Sequence, residues 1–223
     1  MPRRSRRQVL TLSATTLGGL LVYTLDRKPS RVHAQESTLK VPLRFFSEDQ
    51  ALAIAAAAAR IFPSDESGPG ANEAGVVIYI DRQLASAYGR DQYRYTQPPF
   101  EQGVPEQGWQ GKETPRELYR AGLRALGRFH LLTSAEQDAK LHELEHTPFF
   151  SLLRTHTIEG MFCDPMHGGN RDLIGWQLLG FPGPRMSYFD DVDQHYGAAF
   201  RPKPSSLAQI LGRPVRPGED MEP

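Results

Sequence analysis

Cysteine is almost missing from this chain: Cys163 is the only one in 223 residues. A single thiol cannot close an internal disulfide, and the same count excludes a Cys-x-x-Cys-His haem attachment, a zinc finger and an iron–sulfur ligand set. Its neighbours Ile158, Met161 and Phe162 are apolar, so the thiol reads as a buried structural group rather than a nucleophile. A Gly-rich nucleotide fingerprint, a P-loop, a His-Glu-x-x-His metal helix and a Gly-x-Ser-x-Gly elbow are missing too. So is any strand-like alternation. The one apolar run, residues 9–25, is diluted by Thr11, Ser13, Thr15, Thr16, Gly18 and Gly19 and is a poor membrane span. Net charge is zero as well, with 26 basic and 26 acidic residues.

What is present begins with a leader. Arg3, Arg4, Arg6 and Arg7 precede the weakly apolar run, and Val32-His33-Ala34 follows it as a small-residue cleavage signal. Ser5-Arg6-Arg7-Gln8-Val9-Leu10 fits the twin-arginine export pattern, with Arg6 and Arg7 as the pair. A Sec leader that happens to contain paired arginines and an uncleaved anchor are the weaker alternatives. The expectation is a chain that meets the twin-arginine translocase already folded and is delivered to the periplasm. Residues 1–34 hold seven basic groups and one acid. The remainder keeps 26 less seven, 19, basic groups and 26 less one, 25, acidic groups, a net charge of −6. That balance argues against nucleic acid as a partner and leaves membrane association to arise only through partners.

After the leader, residues 35–44 read as an extended linker, 45–190 as one helical domain and 191–223 as a Pro-rich, loosely ordered tail with a turn over residues 206–211. Ser47 with Gln50 is a capping box for an alanine-rich helix that Pro63 ends. Asn72 or Glu73 opens a second helix, with Val76, Val77, Ile80, Leu84 and Ala87 on its apolar face. Residues 88–112 form a long irregular loop rich in Gly, Pro and aromatics, including Trp109; it is either a contact surface or a loop anchored on its own domain. Thr114-Pro115-Arg116-Glu117 starts a third helix, Ser134-Ala135-Glu136-Gln137 a fourth and Thr147-Pro148 a fifth, and a short one runs over residues 172–179. The fold class is therefore all-α, a compact irregular bundle of five to seven helices.

The densest polar patch runs from Glu159 to Trp176. A chemical reading uses Glu159, Asp164 and His167 as acid-base or metal groups of a free-standing enzyme or binding protein. A structural reading, which the residue types favour, makes Asp164-Pro165 and His167-Gly168-Gly169-Asn170 turn and capping residues, with Glu159 and Arg171 paired across the turn. The seven histidines form no recognisable ligand set; His142 and His146 read as an exposed helix face.

Several stretches resemble the gluconate 2-dehydrogenase subunit 3 family. They are Phe45-Phe46-Ser47, Arg60-Ile61-Phe62-Pro63, Gly68-Pro69-Gly70-Ala71, Glu73-Ala74-Gly75-Val76-Val77 and Tyr79-Ile80-Asp81-Arg82-Gln83-Leu84. Thr157-Ile158-Glu159-Gly160, Asp164-Pro165, Gly168-Gly169-Asn170-Arg171-Asp172, Gly175-Trp176 and Gly180-Phe181-Pro182-Gly183 complete the likeness, which covers most of residues 45–190. The resemblance implies the small subunit of a membrane-bound, flavin-dependent sugar or sugar-acid dehydrogenase. It implies no catalytic residue, metal or cofactor on this chain: FAD belongs to the large dehydrogenase subunit and haem c to a cytochrome c subunit. It also implies that the small subunit escorts the large one through export. Trp109, Asp164, Asn170, Arg171, Asp172, Trp176 and Phe181 are then the candidates for docking the flavoprotein.

Overall fold

The computed structural model describes residues 41–92, 98–101, 103–107, 111–185, 187–189, 191–192, 194–197, 199–200 and 202–212. The export signal with Arg6 and Arg7, the cleavage signal and Trp109 lie outside these residues.

Seven α-helices and no strand occur among the described residues: α1 (Glu48–Ile61), α2 (Val76–Ala85), α3 (Pro115–Leu126), α4 (Ser134–Leu144), α5 (Pro148–Phe162), α6 (Ile174–Leu179) and α7 (Leu207–Ile210). The chain is all-α, as its sequence led us to expect. Within the described residues no helix is long and apolar enough to cross a membrane.

Helix starts follow local chemistry. Ser47 and Gln50 close a capping box on α1, and Thr114 and Glu117 do the same on α3. Each satisfies two backbone N–H groups that the first turn leaves without partners, a contribution of about 1 kcal/mol per cap. Three starts differ from expectation; α6 starts at Ile174 rather than at residue 172, because Asp172 and Leu173 have left-handed φ. The cap of α4 is Thr133, one residue before Ser134, because the Glu136 carboxylate accepts from both the Thr133 N–H at 2.8 Å and its hydroxyl at 2.7 Å. Helix α2 begins at Val76 rather than near Asn72. Glu73 is drawn back to the Ser64 hydroxyl (2.6 Å) and the Gly70 N–H (3.1 Å), and left-handed Gly75, with φ +71°, separates that turn from the helix.

Helix α2 is the centre of the core. It packs against α1 and α5, and α3 packs against α5. Eight of its ten residues are buried, on every face, which is the pattern of an enclosed helix rather than a surface one. Two of the eight are charged. Asp81 Oδ1 accepts from the Phe45 and Phe46 N–H groups at 2.9 and 3.0 Å, and Oδ2 from the Arg44 N–H at 2.8 Å. Arg82 Nη1 donates to Asp81 Oδ2 at 2.7 Å and Nη2 to the Pro42 carbonyl at 2.7 Å. The pair straps residues 42–46 to α2, so the chain enters α1 from a fixed point. Further round the bundle, Arg60 of α1 meets Asp138 of α4 through two parallel bonds of 2.7 and 2.5 Å.

Candidate functional site

The patch at residues 159–183 is built around the end of α5. The last carbonyls of any helix lack intrahelical partners and must find others. Here the Gly160 carbonyl accepts from the Asn170 N–H at 2.8 Å, the Phe162 carbonyl from Trp176 Nε1 at 2.7 Å and the Cys163 carbonyl from Asn170 Nδ2 at 2.8 Å. Asn170 Oδ1 in turn accepts from the Gly175 N–H at 2.8 Å and so caps α6 from five residues away. Asn170 does cap the next helix, as its residue type implied, but as a bridge that also closes α5.

Asp164 has a similar double duty. Oδ1 accepts from the Met166 N–H at 3.0 Å, capping the short 3-10 turn Pro165–His167, and Oδ2 accepts from the Leu207 N–H at 2.8 Å at the start of α7. The Ser205 N–H also donates to the Pro182 carbonyl, and Ser206 is 1% exposed. Residues 205–207, placed by sequence in the tail, are thus seated on the Asp164 turn.

The backbone between these anchors is held in an unusual conformation. Asn170, Asp172 and Leu173 have φ of 44°, 55° and 60°. Asn and Asp tolerate this left-handed region; a leucine there costs on the order of 1–2 kcal/mol. Leu173 is buried, so its packing offsets the strain. The outcome is that Arg171 and Asp172 stand on the surface, with the Arg171 N–H donating to the Ala74 carbonyl at 3.0 Å.

The structure separates the residues that sequence placed together. Glu159 accepts from the Tyr79 hydroxyl at 2.9 Å instead of pairing with Arg171. Asp164 has both oxygens engaged by backbone, and His167 Nδ1 is buried without a hydrogen-bond partner. Among the described residues, no group of three or more His, Cys, Asp and Glu side chains converges as a metal site. Asn170 and Trp176 are buried at 0% and 5% exposure, whereas Arg171, Asp172 and Phe181 are exposed, beside Leu178 and Leu179 at 38% and 64%. Burial raises the Cys163 thiol to about 12, which keeps it protonated and unreactive at neutral pH.

Sequence reasoning missed a second polar cluster. His156, 1% exposed, stands between two tyrosines: the Tyr119 hydroxyl lies 2.9 Å from Nδ1 and the Tyr88 hydroxyl 2.9 Å from Nε2. A neutral imidazole offers one donor and one acceptor, so one tyrosine donates to it and the other accepts. The Tyr119 ring stacks on it at 5.6 Å, and Tyr79 meets it edge-on at 6.3 Å. The clue lay in the helical spacing of Phe149, Leu153, His156 and Gly160, which puts the histidine on the apolar face of α5.

Burial lowers the His156 pKa from 6.5 to about 4. Between those values the unfolded chain takes up a proton that the folded chain refuses, so this group's contribution to stability falls as pH drops from 6.5 to 4 and is level on either side. The full difference is about 3 kcal/mol, because each tenfold loss of proton affinity is worth about 1.4 kcal/mol. Urea denaturation over that pH window is expected to show the fall, and His156→Asn to abolish it; an unchanged slope in the variant would assign the effect to other groups.

Among known proteins, neither the curated sequences nor the solved structures gave a match. The family profile described as gluconate 2-dehydrogenase subunit 3 does match, over residues 48–183. That span begins with α1, takes in the Asp81–Arg82 strap and the whole α5–α6 turn, and covers more than half of the chain. The protein therefore belongs to the gluconate 2-dehydrogenase subunit 3 family, the accessory subunits of a dehydrogenase complex.

Proposed function

We propose that this chain is the non-catalytic small subunit of a periplasmic, membrane-associated, FAD-dependent sugar or sugar-acid dehydrogenase. It escorts the flavoprotein subunit through twin-arginine export and stabilises it afterwards. FAD is carried by that large subunit and haem c by a cytochrome c subunit, and the small subunit reaches the membrane through them.

Beside family membership, one observation carries this reading. At the α5–α6 turn Asp164 and Asn170 close helix ends, with a backbone N–H on each of their side-chain oxygens, so their role is structural. What the turn turns outward is a mixed surface of Arg171, Asp172, Leu179 and Phe181. Apolar side chains rimmed by charge are what a partner surface offers.

The decisive experiment concerns the leader. Replacing Arg6 and Arg7 by Lys is expected to leave the flavoprotein's dehydrogenase activity in the cytoplasm, read in fractionated cells with an independently exported enzyme as control. Wild-type levels of that activity in the periplasm would end the escort reading.

A further inference from the structure

A cleft of about 260 Å³ lies between α1 and the end of α3, lined by Asp49, Arg120, Leu123, Arg124, Arg128 and His130. Three arginines and one aspartate are among its lining residues. The surplus stands out in a chain whose mature part is acidic overall, because net charge is an average that a local surface need not follow.

The three arginines are spaced by four residues, at 120, 124 and 128. Arg120 and Arg124 share one face of α3, where like charges at that spacing repel, and Arg128 follows Gly127, which ends the helix. The negative end of the α3 dipole favours a cation in its last turn, which accounts for Arg124. It does not account for gathering three around one cleft. No hydrogen bond or close ion pair engages any of the three among the described residues; Arg120 lies over the Phe45 ring, 5.8 Å from its centroid, and feels the Glu117 carboxylate electrostatically. Three other arginines are held, Arg60 by Asp138, Arg82 by Asp81, and Arg116 by the Leu84 and Ala85 carbonyls. The cleft therefore gathers three guanidinium-bearing side chains with no hydrogen-bond partner around a space large enough for an oxyanion.

We propose that this cleft binds a phosphate group. A carboxylate has two oxygens and suits one guanidinium fork, whereas a phosphate offers oxygens in three directions and carries enough charge to answer three arginines with one aspartate among them. Two sources share this chemistry, free phosphate and the headgroup of an anionic phospholipid. Leu131 and Leu132, which follow His130 and are 60% and 36% exposed, give the second source an apolar foothold. The site is independent of the escort reading, since it lies on α3 and not on the α5–α6 turn.

The test compares the full chain with its Arg124→Glu/Arg128→Glu variant, both carrying the same leader so that the leader's own arginines cancel. Neither side chain is engaged by a hydrogen bond or ion pair, and equal melting temperatures in phosphate-free buffer check that the charge reversal, including the lost dipole contribution of Arg124, leaves the fold intact. Inorganic phosphate is titrated by calorimetry at low ionic strength, and flotation is measured with vesicles of phosphatidylglycerol and phosphatidylcholine against phosphatidylcholine alone. The expected result is binding that weakens with added salt and falls at least about tenfold in the variant. Loss of phosphate binding alone identifies the free anion as ligand, and loss of flotation on phosphatidylglycerol alone identifies the lipid headgroup. Binding of neither probe, or equal binding by both proteins, overturns the proposal.

Discussion

Replacing Asp81 by Ala is expected to destabilise the fold by about 3–5 kcal/mol, a large part of the roughly 5–15 kcal/mol that holds a typical domain together. The size follows from what is left behind. Asp81 is fully buried and accepts three backbone N–H groups as well as the Arg82 guanidinium. Its removal leaves the Arg82 side chain, 3% exposed, without its counter-ion in a setting where burial already works against the cation. It also releases residues 42–46 from α2, and with them the point from which α1 starts. Asp81→Asn keeps one acceptor oxygen and is expected to fall between the two. The double variant Asp81→Ala/Arg82→Met is the sharper comparison, because removing both charges avoids the unpaired ion and should recover part of the loss. Urea denaturation gives all four stabilities. A single Asp81→Ala within about 1 kcal/mol of wild type would mean that the strap is ornamental.

Asp81 also shows where reading the sequence stops. The local devices were legible: Ser47-x-x-Gln50, Thr114-x-x-Glu117 and Thr147-Pro148 set helix starts through groups only three residues apart. Ambiguity entered even there when two hydroxyls stood together, and Thr133 prevailed over Ser134 because the Glu136 carboxylate could take two of its donors. The all-α class was legible for the same reason, since helical spacing is a short-range signal. The roles of Asp81, His156 and Asn170 were not. Asp81 finds its backbone partners 35 to 37 residues away, Tyr119 lies 37 residues from His156, and Tyr88 lies 68 from it. No periodicity encodes such distances. At the α5–α6 turn the residue types gave the right kind of job, capping, and for Asn170 the right helix, but not the bonds that tie Asn170 back to α5 or Asp164 to α7. That matters for function, because of the docking candidates read from the sequence it buries Asn170 and Trp176 and leaves Arg171, Asp172 and Phe181 exposed.

The same turn is the place for the second large effect, a single methyl group at Gly175. A Cβ built there would lie 1.9 Å from the Met161 carbonyl oxygen and 3.0 Å from Phe162 Cδ1. The nearer atom is backbone, so no rotamer change can make room, and α6 has to move off the end of α5. That movement stretches the bond from the Gly175 N–H to Asn170 Oδ1 and the one from Trp176 Nε1 to the Phe162 carbonyl. Overpacking and two weakened hydrogen bonds, one buried and one part-buried, together predict a loss of about 2–4 kcal/mol for Gly175→Ala. Gly180→Ala is the control: it has left-handed φ of +67° but nothing within 4 Å of the added atom, so it should cost only about 1 kcal/mol of backbone strain. The displacement has its own reporter. Trp176 is 5% exposed, and in a Trp109→Phe background it is the only indole left. Gly175→Ala should shift its emission to longer wavelength as the ring meets water, while Gly180→Ala leaves it in place. Equal stabilities for the two glycine variants, with Trp176 emission unmoved in both, would show that α5 and α6 do not meet as tightly as the carbonyl contacts require.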